Sequence, residues 1–177
     1  GGMVLISSQT ASNSASISFT TGINSTYKEY QFWFIDIHPR TDVPDFTFNL
    51  STDSGSNYNV TKTTTAFRAI HNEADSSTGL GYETSFDLAQ STSFQPIATG
   101  VGNGADESCV ATLTLFNPSS TTYVKHFIST ASNYIGSDYA ENFFSAGYGN
   151  TTSAVNAVQF KMTSGNFDGT ILLYGIV

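Results

Sequence analysis

The histidines His38, His71 and His126 are the first residues whose chemistry needs weighing. A transition-metal site calls for two histidines one helical turn apart, or for cysteine and histidine at short spacing. Neither pattern occurs. His38 stands before Pro39 at a strand end and His126 lies inside a strand beside Lys125, so all three read as structural histidines. The single cysteine, Cys109, has no partner for an internal disulfide and sits in a strand pattern, where a free thiol behaves as a small buried apolar residue. A serine hydrolase would need a nucleophile elbow, Gly-x-Ser-x-Gly between strand and helix, and none is present.

Paired carboxylates are the next candidates, since two of them suffice for glycoside hydrolysis. Asp106-Glu107, Asp42 with Asp45, and Asp138 with Glu141 all fall where loops or turns are expected, and acids there ordinarily face solvent. The run Gly100-Val101-Gly102-Asn103-Gly104 has the glycines of a phosphate loop. It lacks the lysine and the helix start, and the acids Asp106 and Glu107 follow it, so a flexible hairpin loop is the expectation. Four glycosylation sequons, at Asn24, Asn49, Asn59 and Asn150, match what chance yields when Ser and Thr fill 48 of 177 positions. No catalytic, cofactor or metal residue is expected, and the chain reads as not an enzyme.

Charge narrows the partners. Six Lys and Arg against 14 Asp and Glu give a net charge of −8. Six scattered bases form neither the stripe that neutralises nucleic-acid phosphates nor a grip on anionic lipid, so no nucleic acid and no membrane insertion are expected. No apolar run reaches the roughly 18 residues of a membrane span. Residues 1–20 lack the basic start and apolar core of a secretory signal. Gly1-Gly2 before Met3 reads as a cloning remnant, leaving residues 3–177 as one domain.

The elements that would hold these residues are strands. Ser, Thr, Asn and Gly make up 76 of 177 residues, charged residues only 11%, and aromatics 14%. That mixture suits strands and turns far better than helices or disorder. Alternation of period two recurs: Ile17 with Phe19; Phe46, Phe48 and Leu50; Cys109, Ala111, Leu113 and Leu115. Turn residues separate the runs at Asp53–Asn57, Ala74–Gly79, Gly100–Asp106, Asn117–Ser120 and Ser164–Gly169. The pattern predicts an all-β antiparallel sandwich, jelly-roll-like, with about eight to ten strands. One short helical turn is expected over Asp138–Phe144, with Tyr139 against Phe143.

Two strands break the rule of one wet face. In Tyr30–Ile37, Tyr30, Phe32 and Phe34 share one side while Gln31, Trp33, Ile35 and Ile37 share the other. In Ile171–Val177, Ile171 and Leu173 oppose Leu172, Tyr174 and Ile176. Either a loop or strand of the same chain covers the second face, or another subunit does. In the second case Trp33, Ile35, Ile37, Leu172, Tyr174 and Ile176 form the subunit interface.

Three stretches carry a resemblance. Thr21–Tyr30 leads into Phe34-Ile35-Asp36-Ile37-His38-Pro39, Asn117–Thr122 precedes Tyr123-Val124-Lys125-His126-Phe127, and Phe160–Ile176 closes with Gly169-Thr170-Ile171-Leu172-Leu173-Tyr174-Gly175-Ile176. Together they resemble small virion structural proteins of tailed bacteriophages infecting marine and other aquatic bacteria. The resemblance implies a non-enzymatic particle component located in the virion, made in the host cytoplasm and often trimeric. Its partners would be copies of itself and the major capsid protein or another virion protein. Decoration or cementing of the capsid is the first expectation, and a tail-fibre or receptor-binding module the close alternative. A carbohydrate-binding sandwich is the third, with Tyr58, Tyr82, Tyr139 and Tyr148 stacking on a host-surface glycan.

Overall fold

Twelve strands and no helix make up the computed structural model, which describes residues 1–177. In chain order they are β1 (Met3–Ser14), β2 (Ile17–Phe19), β3 (Glu29–Pro39), β4 (Phe46–Ser51), β5 (Lys62–Asn72) and β6 (Thr78–Tyr82). Then come β7 (Gln95–Ala98), β8 (Cys109–Phe116), β9 (Lys125–Ile135), β10 (Tyr139–Gly149), β11 (Ala157–Met162) and β12 (Phe167–Ile176). Every pairing between them is antiparallel. The large sheet runs β1-β12-β3-β8-β9-β10-β5-β6 and the small one β2-β11-β4-β7.

The expected sandwich is present, and the strand order specifies its type. With β1, β12 and the β9–β10 hairpin set aside, eight strands remain, four in each sheet. β2, β3 and β4 alternate between the sheets, the β5–β6 hairpin stays in one, and β7, β8 and β11 alternate again. The first of the eight lies beside the last. That is jelly-roll topology. The additions widen one sheet only: β12 and β1 extend it beyond β3, and the β9–β10 hairpin is inserted between β8 and β5.

The count exceeds eight to ten partly because the region around Asp138 is a hairpin. Gly136-Ser137-Asp138 joins Ile135 to its cross-strand partner Tyr139, and Asp138 takes the left-handed conformation at φ 66°. A three-residue loop ending in a left-handed residue suits the twist of paired strands. The helical turn expected over Asp138–Phe144 is therefore corrected: those residues open β10, and Glu141, read as a solvent-facing turn acid, lies 2% exposed with its side chain inward.

Between the sheets lies an apolar core rich in phenylalanine. Phe32 and Phe34 of β3 meet Phe160 of β11 edge-on at 5.0 and 4.8 Å, and Phe34 meets Phe46 of β4 at 5.2 Å. Such crossed rings add about 0.5–1.5 kcal/mol each beyond their burial. Cys109 is buried in this core, as its strand pattern implied, and burial pushes its thiol well above the usual range.

The outer faces of the two sheets differ. On the small sheet, Thr47, Asn49 and Ser51 point away from the core yet are buried. The loops after β4 and before β7 cover them: Asn49 Nδ2 donates to the carbonyls of Tyr58 (2.7 Å) and Thr92 (2.8 Å). β4 is thus buried on both faces, not one. The large sheet has no such cover.

Candidate interaction face

Pairing register fixes which side chains share the open face of the large sheet. One cross-strand row runs Ser8, Leu172, Trp33, Thr112, Thr130, Phe144, Phe67 and Tyr82. The next runs Leu5, Tyr174, Gln31, Thr114, Ile128, Ala146 and Thr65. Neither row contains a charged residue. On β3, charge enters only at Glu29 and at Asp36, the two ends of its exposed stretch.

Trp33 and Ile35 are each 39% exposed on this face, and Leu172, Tyr174 and Ile176 beside them are half-buried. Five of the six expected interface residues therefore share one surface. Ile37 does not: it is fully buried. A β-bulge explains the correction. Asp36 adopts φ 51°, the β3–β8 register shifts between Phe34 and Ile37, and the extra residue reverses the alternation. Gly169 opposite, at φ 135°, makes room on β12, where register also shifts.

The face is held rigid by local hydrogen bonds. Trp33 Nε1–H donates to Gln31 Oε1 at 2.7 Å, and Gln31 Nε2 donates to Thr114 Oγ1 at 3.2 Å. Tyr174 leans on Trp33 with ring centres 5.8 Å apart. Across the sheet, Phe67 and Phe144 stack at 4.7 Å and 8°. Between these aromatic ridges lies a shallow groove of about 440 Å³, lined by Trp33, Ile35, Val110, Thr112, Thr130 and Asn142. Asn142 Nδ2 is tied to the Ala131 carbonyl at 2.8 Å. The surface offers apolar contact and neutral hydrogen bonding.

The four tyrosines considered for sugar stacking do not form one platform. Tyr82 and Tyr148 lie on the open face, Tyr82 donating to Asp87 at 2.6 Å and Tyr148 packing against His126 at 6.0 Å. The Tyr58 hydroxyl is enclosed against Gly55 in the loop after β4, and Tyr139 starts β10 on the inward-facing register.

The remaining candidates are placed one by one. His38 Nδ1 is 2.7 Å from the Glu107 carbonyl, and His71 meets Asp75 at 3.0 Å on the surface. Three N–H groups of the glycine loop are taken by carboxylates and two by carbonyls: Gly100 donates to Asp45 (2.9 Å), Asn103 to Asp42 (3.3 Å) and Gly104 to Glu107 (2.7 Å), while Val101 and Gly102 donate to the Pro44 and Tyr134 carbonyls. Of the two acids that follow the glycines, Glu107 holds the loop's shape. Asp138 and Glu73 both accept from the Tyr134 hydroxyl, at 3.0 and 3.1 Å, and this raises the phenol's proton affinity. Asn49, one of the sequons, is fully buried.

Three buried charges escaped sequence reasoning. Glu141 accepts from Arg68 (3.2 Å), Asn133 Nδ2 (2.9 Å) and the Thr99 N–H (3.2 Å). Lys62 donates to the Val60 carbonyl (2.9 Å) and to Asn49 Oδ1, and burial lowers its ammonium to about 7. Lys125 donates to the carbonyls of Tyr123 (2.6 Å) and Thr151 (3.1 Å). The only trace of them in the sequence is period-two phase, which places each at an inward position of its strand. No protein-family model matches the chain, and no curated protein is similar enough to it to suggest a family.

Proposed function

We propose that this protein is a non-enzymatic structural component of a phage virion, acting as a capsid decoration or cement protein through the open face of its large sheet. One observation carries the reading. On the small sheet the chain's own loops bury the outward side chains of β4, while the large sheet leaves Trp33 and Ile35 exposed, beside half-buried Leu172, Tyr174 and Ile176, on an uncharged surface. Burial of apolar area yields about 25 cal/mol per Å², and a subunit that covers this patch supplies the missing second layer. Neutrality matters because each copy carries −8, and a charged face would oppose association. The resemblance in β3, β9 and β12 supplies the virion setting and the count of three copies. The test is the solution mass of the 18.9 kDa chain at micromolar concentration, alone and with Trp33→Glu. Association that the substitution abolishes, together with density for a labelled copy on imaged particles, supports the proposal. A monomeric wild type removes it.

A second reading has its own support in the groove beside Trp33. A fixed indole facing neutral Thr112, Thr130 and Asn142 is suited to a neutral glycan. Titration with oligosaccharides while following Trp33 fluorescence, the only tryptophan signal, separates it from assembly.

A further inference from the structure

We infer that the free edge of β1 is a second assembly surface, at which two copies of this chain pair antiparallel over Met3–Leu5 and join their large sheets. β1 ends the large sheet, with β12 on one side and no strand on the other. The Val177 N–H donates to the Gly2 carbonyl at 2.9 Å, and the register then runs Met3 with Ile176, Val4 with Gly175 and Leu5 with Tyr174. Hydrogen-bonded and non-hydrogen-bonded pairs alternate in an antiparallel ladder. Gly2 and Val4 therefore bond to β12, and Met3 and Leu5 turn their N–H and C=O groups outward, where no strand of this chain receives them.

Edges left open usually carry charge, proline or very short strands, which block pairing with other chains. β1 carries neither charge nor proline. Residues 1–27 contain no Asp, Glu, Lys, Arg or His, and β1 spans 12 residues with Met3 45% and Leu5 54% exposed. Bulges at Ile6 and near Asn13 interrupt it, so Met3–Leu5 is the straight segment before the first. The opposite edge, β6, is five residues flanked by Glu73, Asp75, Glu83 and Asp87. Of the large sheet's two edges, β1 is the one that copies carrying −8 each can bring together without repulsion. Centred on Val4, a twofold pairing sets Met3 opposite the partner's Leu5 and exchanges four backbone hydrogen bonds. It also extends the apolar patch of Leu5, Tyr174 and Ile176 across the seam. Twofold symmetry makes the contact self-complementary.

The seam adjoins the face around Trp33 but is made by backbone groups of the edge, not by the side chains of the face, so each can fail alone. Leu5→Pro removes an N–H that β12 does not use, which an edge strand tolerates, and blocks the seam. Leu5→Thr keeps the N–H and shortens the side chain. Circular dichroism confirms that each variant is folded, and light scattering then gives the mass. With both surfaces in use the wild type is a hexamer, Leu5→Pro a trimer, Trp33→Glu a dimer, and Leu5→Thr keeps the wild-type mass. A folded Leu5→Pro of unchanged mass overturns the seam and leaves the face standing. A wild-type trimer does the same. A wild-type dimer that Leu5→Pro splits and Trp33→Glu does not keeps the seam and removes the face. A monomeric wild type removes both.

Discussion

Lys62 has an ammonium that hydrogen-bonds Val60 and Asn49 within the protein, and desolvation there pulls its proton affinity from 10.5 to about 7. Between pH 7 and 10 the unfolded chain holds a proton at this position that the folded chain has shed, so stability rises with pH across that window. The rise is on the order of a few kcal/mol, and below pH 7, where both states are protonated, it vanishes. Urea unfolding at pH 7 and pH 8.5 measures its first part. Lys62→Met should reduce the rise, leaving the part due to Lys125, whose ammonium burial also lowers; methionine fills the space and Asn49 Oδ1 keeps the Leu50 N–H at 2.8 Å. The raised Cys109 thiol opposes the trend once pH nears the ordinary thiol range around 9, and the raised phenols of Tyr82 and Tyr134 oppose it from about 10, so the comparison stops at pH 8.5. Arg68 offers a contrasting case. Replacing it with Met leaves Glu141 buried without a cation, a loss of about 3–5 kcal/mol read from the same unfolding curves. Adding Glu141→Gln should recover much of that, since the Asn133 amide and the Thr99 N–H still have an acceptor.

At the scale of elements, the β3 bulge decides which side chains reach the open face, and Gly169 permits it. A Cβ on Gly169 would lie 2.8 Å from the Asp36 carbonyl oxygen and 3.0 Å from the Ile37 Cα, at a φ of 135° that other residues resist. Gly169→Ala should cost about 1–3 kcal/mol, visible as a lower melting temperature, whereas Asp36→Gly should cost nothing, because glycine adopts φ 51° freely. The same bulge marks where sequence reading stops. Period two correctly grouped Trp33 with Ile35, and Leu172 with Tyr174 and Ile176, because strand geometry forces that alternation. It failed at Ile37, since one residue in a left-handed conformation shifts the phase and Asp36 gives little sign of it. Asp138 failed similarly, as a carboxylate before Tyr139 serves a helix cap and a hairpin turn equally well. The cover over β4 was invisible because a loop's path is set by tertiary contacts such as Asn49 with Thr92.

For the whole molecule, the distribution of charge sets how assembly responds to salt. Twenty Asp, Glu, Lys and Arg residues yield −8, yet the central rows of the open face and the whole of β1 carry none. Surfaces held together by ion pairs weaken as salt screens them, with a Debye length near 10 Å at 0.1 M falling to about 3 Å at 1 M. Here the only long-range term between copies is mutual repulsion, and screening removes it. Association should therefore hold or strengthen between 0.05 and 1 M sodium chloride. Sedimentation equilibrium across that range supplies the measurement. Dissociation at high salt would mean that charged residues bridge the copies, and would place the contact among the acidic loops around Asp75 and Asp106 instead of on the neutral face and edge.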